Sequence, residues 1–261
     1  MKNFLKVTLA AVAMMAAPLA GASAAGALSA IKDAGVIKIA VPQDFPPFGT
    51  VGTDMQPQGY DIDMAKLIAS DLGVKLEMVP VTTNNRIPYL TTGKVDLVIS
   101  TLGKNPDREK VIDFTDPYAP FFNGVFGPAD IEIKGPADLS GHTLGVTRAT
   151  IEDMELQKIA PKDVDIKRYE DNNATISAFL SGQVEVIATG NVTAAAIIKR
   201  NPPRKPEPKF LIKNSPCYVG LNKDEPELKA KVNEIIAASL KDGRLNDISI
   251  QWLGNPLPEK F

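Results

Sequence analysis

Cysteine and histidine are nearly absent from this sequence, which has one of each, Cys217 and His142, among 261 residues. A single cysteine cannot form an internal disulfide, and one thiol with one imidazole cannot supply the ligands of a zinc site or a CxxC redox pair. The motifs GxGxxG, GxSxG and HExxH do not occur either. We therefore expect neither a metal nor a cofactor.

Charge of one sign is not in excess, because 29 lysines and arginines are balanced by 31 aspartates and glutamates, for a formal net charge of −2. No basic stripe is available to replace the counterions of a nucleic acid. The same balance argues against attraction to an anionic membrane surface. Composition therefore excludes nucleic acid from the expected partners.

Long apolar runs are limited to one, residues 7–20, close to the start of the chain. Two basic residues, Lys2 and Lys6, precede it, and the small residues 22–24 follow it, as in a secretory signal. The run is shorter than the ~20 apolar residues that span a bilayer, although a single membrane anchor is the alternative. We predict that residues 1–25 are a signal peptide and that the mature protein is released into the periplasm.

Strand-like and helix-like patterns alternate along the rest of the chain, which is typical of an α/β fold. The first alternation covers 37–41, 61–72, 76–79, 86–92 and 95–100. The second covers 143–147, 151–159, 166–169, 173–180, 184–188 and 192–200. A proline-rich stretch, 201–208, is predicted to be a loop, and a strand at 217–221 with helices at 227–242 and 244–252 closes the chain.

Two alternations predict two doubly wound α/β lobes, with crossings near Pro120 and Ser215 that form a two-strand hinge. We expect lobe 1 to comprise 26–120 plus 214–261 and lobe 2 to comprise 121–213. Ligands of open α/β sheets bind beyond the carboxyl ends of the strands. Two facing lobes would therefore enclose a ligand cleft.

Residues 59–69, GYDIDMAKLIA, resemble the signature of the family 3 extracellular solute-binding proteins. Further blocks that are similar to this family lie before and after this segment, in the same order as in the family. They are at 41–48, 93–98, 107–118, 144–146, 182–186 and 251–254. The resemblance implies a type II periplasmic-binding-protein fold. It also implies a monomeric receptor that captures an amino acid or similar small carboxylate for an ABC permease of the inner membrane.

The resemblance also implies which residues of lobe 1 bind the ligand. Arg108 is expected to bind the ligand carboxylate, since an arginine fork can donate two parallel hydrogen bonds. Ser100 and Thr101 would add hydroxyl and backbone N–H donors. Gly103 can offer only its N–H where the family usually has Thr or Ser. Phe45 is expected to stack on the ligand.

Other positions complete the cleft by the same resemblance. Thr83 and Asn84 are expected in a wall that is often aromatic in the family. Arg86 is an additional cation near that wall, and a solvated helix face or a salt bridge is its alternative role. In lobe 2, the loop with Arg148, Thr150 and Ile151 is expected to close over the carboxylate.

The amine half of the pocket departs from the family pattern. The family holds the ammonium group with aspartates, and the matching positions here are Gly190, followed by Asn191, and Pro42. Asp44 and Glu152 could substitute, and Asp44 is the preferred candidate. Either another acid serves, or the ligand is not a standard α-amino acid.

Two other functions remain open from the sequence. Some relatives of the family are cyclohexadienyl or arogenate dehydratases, and in such an enzyme Glu152 would be the candidate acid. A receptor that presents its ligand to a membrane sensor would have the same cleft. We expect a binding protein rather than an enzyme.

The signal peptide leads to a first prediction. Expression of the full chain in a Gram-negative host should give a periplasmic protein whose N-terminus follows Ala24 or Ala25, because these small residues fit the cleavage positions. Intact mass spectrometry of the periplasmic fraction measures this. A membrane-bound product that retains residues 1–25 would contradict the prediction.

Overall fold

The computed structural model describes residues 26–259, so the predicted signal peptide, residues 1–25, lies outside the described residues. Within the described part, helices lie at α1 Ala27–Ala34, α2 Tyr60–Leu72, α3 Arg86–Thr91, α4 Pro106–Glu109, α5 Ile151–Ile159, α6 Asn172–Leu180, α7 Asn191–Lys199, α8 Pro226–Asp242 and α9 Arg244–Leu253. None of them is both long enough and apolar enough to cross a membrane.

The strands are β1 Val36–Pro42, β2 Asp44–Phe45, β3 Gly49–Val51, β4 Pro57–Gln58, β5 Lys75–Val81, β6 Leu97–Leu102, β7 Asp113–Ala119, β8 Phe122–Gly127, β9 Thr143–Thr147, β10 Asp165–Tyr169, β11 Val186–Gly190, β12 Glu207–Asn214 and β13 Cys217–Leu221. They form two five-stranded sheets and one small three-stranded sheet, β2-β3-β4. The predicted α/β class is therefore confirmed.

The first large sheet has the strand order β5-β1-β6-β13-β7. Strand β1 runs parallel to β5 and β6, whereas β13 is inserted antiparallel between β6 and β7. We call this sheet with its helices, including α2, α8 and α9, lobe 1. Because β13 comes from the end of the chain, the chain returns to lobe 1 after building the second sheet.

The second large sheet has the order β10-β9-β11-β8-β12 and, with α5, α6 and α7, is called lobe 2. Strand β9 is parallel to β10 and β11, and β8 is antiparallel to β11 and β12. The chain passes between the lobes at β7–β8 and again at β12–β13. A hydrogen bond from the Ser215 N–H to the Phe121 carbonyl, 3.0 Å, ties the two crossings together. The exact lobe boundaries stay a prediction.

Helix α2 shows why the sequence folds as it does in lobe 1. Gly59, at φ 139°, has its Cα so close to the Phe48 carbonyl that a Cβ would lie 2.2 Å from that oxygen, so only glycine fits before the helix. Ile62, Ala65 and Ile68 recur at helical spacing, and all are buried in the core of lobe 1. Gly73, at φ 72°, ends the helix in the left-handed conformation.

The predicted elements differ from the structure mainly near prolines and caps. Residues 207–208 were predicted to be loop but begin β12, an edge strand paired only with β8, where proline is tolerated. The predicted cap of α6 was Asn172 or Asn173, but the N-cap is Asp171, whose Oδ1 accepts a hydrogen bond from the Ala174 N–H at 2.7 Å. Helices α1 and α4 and strands β2 to β4, β7, β8 and β12 were not predicted.

A fully buried carboxylate, Asp61, joins three elements of lobe 1. It accepts hydrogen bonds from the Tyr118 hydroxyl at 2.7 Å and from the Thr101 N–H and hydroxyl at 2.7 and 3.0 Å. Burial raises the pKa of Asp61 to about 6, because these bonds only partly offset the loss of hydration. Asp61 therefore fixes the end of β6 against α2 and β7, at a cost in free energy.

The Asp61 carboxyl leads to a prediction about stability and pH. Its folded pKa is higher than the ordinary value of 3.8, so the native state binds this proton more tightly than the unfolded chain does. Its contribution to stability is complete below pH ~4 and is lost as pH rises through ~6, by up to ~3 kcal/mol.

Urea unfolding of the wild type and Asp61→Asn across this range measures the effect as a difference in pH slope. Asp63→Asn, on the same helix, is the matched control for loss of one carboxylate. Identical slopes for the wild type and Asp61→Asn would rule out this titration.

Candidate functional site

The two large sheets meet at a cleft lined by residues at the carboxyl ends of their parallel strands. Pro42 ends β1, Ser100 and Thr101 lie near the end of β6, and Thr147 ends β9. The space in the cleft that the centres of water-sized molecules can occupy is small, about 30 Å³. Its position is the one that the strand pattern predicts for a ligand.

Many of the residues predicted from the sequence come together in this cleft. Those that line it are Asp44, Phe45, Thr83, Ser100, Thr101, Gly103, Thr150 and Ile151. They come from both lobes, so a molecule held here touches both. Gly103 is a close contact between the lobes, because a Cβ there would lie 2.6 Å from the Ser215 hydroxyl and 2.7 Å from Ile151.

Five predicted positions, Arg108 among them, do not line the cleft. Asn84 is exposed, and Arg148 is exposed with its Nε 2.8 Å from the Glu170 carboxylate. Gly190 is packed against the Phe121 ring, so that a Cβ would lie 2.0 Å from it. The Asn191 side chain accepts a hydrogen bond from the Phe122 N–H at 3.1 Å.

Thr101 lines the cleft, but its donors point elsewhere. Its N–H and its hydroxyl both donate to Asp61, so they are not directed at the cleft as the sequence predicted. The backbone of Thr101 has φ 47°, in the left-handed region that a threonine seldom adopts. The Asp61 carboxylate holds this conformation, and it turns the end of β6 away from the strand direction.

Arg86 is a buried cation in the cleft wall that the sequence showed only as an additional charge near the site. It begins α3, is 4% exposed and lines the cleft. One Nη donates to the Ser100 carbonyl, and its Nε has no partner among the described residues. Burial lowers the pKa of Arg86. The sequence signal for it was an arginine at the start of the helix that follows the carboxyl end of strand β5.

Arg108 lies beside the cleft rather than in its lining. Its two Nη atoms donate to the Gly103 carbonyl at 2.6 Å and to the Ala149 carbonyl at 2.8 Å, so it connects the lobes. The Asn105 side chain caps α4 by accepting from the Arg108 N–H at 2.8 Å. Burial and the positive charge of Arg86 hold the pKa of Arg108 well below its usual range. Its Nε has no partner among residues 26–259.

Asp44 is engaged in a second connection between the lobes. Its Oδ2 accepts hydrogen bonds from the N–H and the side-chain amide of Asn172, at 2.8 and 2.9 Å. Asn172 is the first residue of α6, where the helix dipole favours a negative charge. Burial nevertheless raises the pKa of Asp44. One oxygen of its carboxylate is therefore already hydrogen-bonded within the protein.

Glu152 is the other acid in the cleft lining, in the first turn of α5. It is 4% exposed, and it forms no salt bridge with any of residues 26–259. With the Asn123 amide nitrogen turned towards it, Asn123 donates to both carboxylate oxygens, at 2.9 and 3.2 Å. Burial raises the pKa of Glu152, while the charges of Arg108 and Arg86 oppose the rise.

Comparison with known proteins places this fold and cleft among solute receptors. The L-cystine-binding protein TcyJ of Escherichia coli K12 is 26% identical over 233 residues, covering 88% of this chain and 86% of that protein. The solved receptor for L-cysteine of Neisseria gonorrhoeae is 34% identical with a TM-score of 0.81, covering 87% of this chain and 93% of that one.

A further similar structure is the ancestral amino acid-binding protein AncCDT-1, a precursor of cyclohexadienyl dehydratase. It is 30% identical with a TM-score of 0.79 and covers 88% of this chain and all of that one, 100%. These structural neighbours confirm the predicted type II fold of two α/β lobes. A profile of the bacterial extracellular solute-binding proteins, family 3, matches residues 37–255. With profile, fold and cleft in agreement, this chain belongs to family 3 of the bacterial extracellular solute-binding proteins.

Proposed function

We propose that this protein is the periplasmic substrate-binding component of an ABC importer and that it captures an amino acid or related small carboxylate between its lobes. The observation that carries the proposal is the buried guanidinium of Arg86 in the cleft wall, with an unpaired Nε. A second buried guanidinium, that of Arg108, lies close to Arg86. The positive charge of Arg86 adds to the effect of burial and lowers the pKa of Arg108. Glu152, in the same lining, attracts both of these charges, and Asp61 attracts Arg86.

The charge balance of the site favours an anionic ligand group. Burying a charge costs several kcal/mol unless it is paired and hydrogen-bonded. Neither guanidinium forms a salt bridge to any of residues 26–259, and the charges of Glu152 and, for Arg86, of Asp61 reach them only from a greater distance, so a directly paired negative charge is missing. A ligand carboxylate supplies that charge and accepts N–H donors of the arginine fork.

Both arginines remain available as carboxylate donors. Arg108 uses two of its five N–H groups on the carbonyls of Gly103 and Ala149, which leaves three. Arg86 faces the cleft directly. We therefore propose that Arg86 joins Arg108 in binding the carboxylate, with Ser100 and Gly103 shaping the pocket floor.

Capture follows from the two crossings between the lobes. Rotation about residues 119–122 and 214–217 opens and closes the cleft. Ligand that bridges both walls shifts the population towards the closed form. In this proposal, the closed face docks on the permease, and the protein acts as an exported monomer.

The relatives support an amino acid as the ligand class. Those similar to this chain include binding proteins for cystine, glutamine and arginine. These ligands share an α-carboxylate and an α-ammonium group and differ in their side chains. The shared groups are the ones that the buried charges of this cleft can bind.

A dehydratase activity is the second candidate, because Glu152 is a buried cleft acid with a raised pKa and AncCDT-1 is a precursor of such an enzyme. A general acid needs a pKa near the working pH. The binding proposal expects prephenate and arogenate to remain unchanged after incubation with pure protein, as followed by ultraviolet absorbance. Formation of phenylpyruvate or phenylalanine, lost in Glu152→Gln, would instead establish an enzyme.

Arg86 provides the direct test of the binding proposal. In a thermal-shift screen of amino acids and small carboxylates, a ligand at 100 times its Kd stabilises the wild type by ~2.7 kcal/mol. Arg86→Gln removes charge-assisted bonds that contribute ~1.5–3 kcal/mol each, and binding should weaken at least ~100-fold by calorimetry.

Arg148→Gln is the matched control, because Arg148 is exposed and paired with Glu170 outside the cleft. It should bind like the wild type. Circular dichroism verifies that both variants are folded. Unchanged affinity in a folded Arg86→Gln would refute the carboxylate site.

A further inference from the structure

Glu152 is a buried carboxylate that the fold does not pair with a cation. It lies in the cleft lining at 4% exposure and has no salt bridge to any residue in the described part of the chain. Its hydrogen-bond donors are Asn123, the Thr150 side chain and the backbone N–H of Glu152, and all of them are neutral. A buried carboxylate in this state is stabilised strongly when a cation reaches it.

The other acids near the cleft are already engaged. Asp44 accepts two hydrogen bonds from Asn172. Asp61 does not line the cleft and is occupied by Tyr118 and Thr101. Asp153, next to Glu152, pairs with the Arg168 Nε at 2.7 Å. Of the two acids in the lining, Asp44 and Glu152, Glu152 is the more deeply buried, and it lies on lobe 2, the lobe opposite Arg86.

The packing around Gly190 leaves no room for an acidic side chain at the end of the neighbouring strand, β11. The Cα of Gly190 lies so close to the Phe121 ring that a Cβ would overlap the ring at 2.0 Å. Any side chain at this position would displace Phe121, which packs against Phe45 and Phe48 with ring centroids 6.1 and 5.6 Å away. The packing of these aromatic rings thus leaves the first turn of α5 to supply the negative charge.

We infer that Glu152 binds the ammonium group of the ligand, so that the ligand is a zwitterion held between Arg86 of lobe 1 and Glu152 of lobe 2. This inference rests on the proposed function, since it requires a ligand carboxylate at the arginines. It reverses the preference for Asp44 that the sequence suggested. Each end of the ligand pairs with a different lobe, and both pairs form together only when the cleft is closed.

The arrangement also predicts selectivity. A carboxylate that lacks the amine occupies the arginine side but leaves Glu152 buried and unpaired. Sites built to pair a ligand group reject analogues without that group far more strongly than apolar pockets reject a missing methylene. Amine-bearing ligands should therefore bind at least ~100-fold more tightly than their deaminated analogues.

The test uses matched ligand pairs that differ only in the amine. They are L-cysteine with 3-mercaptopropionate, L-glutamine with glutaramate, and L-arginine with 5-guanidinopentanoate. Calorimetry gives the ratio of the two Kd values for the wild type and for Glu152→Gln. Glutamine keeps the size of the side chain and its contact with Asn123 but cannot form an ion pair, so the ratio should fall below ~10.

Two control variants separate this role from a structural one. Glu155→Gln changes the same helix outside the cleft lining, where Glu155 pairs with Lys158 and Lys213, and should keep the wild-type ratio. Asp44→Asn should weaken both members of a pair alike, because Asp44 acts on closure through Asn172. A Glu152→Gln protein that keeps the wild-type ratio, or weakens both members equally, overturns the inference. Failure of the wild type to bind any carboxylate in the screen contradicts the proposed function itself.

Discussion

The site depends on one constraint, the burial of charged side chains between the two large sheets. Two guanidinium groups and one unpaired carboxylate lie where water is largely excluded, and neighbouring groups supply hydrogen bonds to them. The carbonyls of Ser100, Gly103 and Ala149 accept from the arginines, and Asn123 donates to Glu152. Such partners reduce the cost of burial without neutralising the charges. In the proposed function, these buried charges give the cleft its affinity for a charged ligand.

The topology makes this arrangement possible. Parallel strands direct their carboxyl ends to one edge of each sheet, and the two crossings of the chain set those edges face to face. Insertion of β13 between β6 and β7 returns the chain to lobe 1, and α8 packs on that lobe through Leu228, Val232 and Ile235. The cleft is therefore bounded by two cores that are each complete without it.

The sequence could predict much of the fold because its signals are local. Helix α5 and strand β13 begin and end where their patterns indicated, at Ile151–Ile159 and Cys217–Leu221. Strand β12 was partly hidden, because its prolines are tolerated only at a sheet edge, and edge position depends on the whole topology. The family blocks indicated the architecture, but the small strands β2 to β4 are too short to produce a periodic pattern.

The sequence predicted the position of the site better than it predicted the orientation of the side chains in it. Ser100, Thr150 and Ile151 were found because strand ends and helix starts converge at the cleft. Arg148 and Arg86 both lie next to a strand end, yet one is exposed and the other is buried. That difference depends on the direction in which each side chain points, and a shift of one residue along the chain reverses this direction. The role of Asp61 as the acceptor for both Thr101 donors was also invisible, since it needs contacts between distant segments.

The hydrogen bonds that join the lobes directly have a kinetic consequence. The contacts from Asp44 to Asn172 and from Arg108 to Ala149 use protein atoms only, so they stabilise closure whatever the ligand. A larger resident fraction of the closed form lowers the free energy that the ligand must spend on closing. A ligand that enters through the open form then has to wait for spontaneous opening. Uptake by such a receptor is then limited by a first-order step that no increase in solute concentration can accelerate.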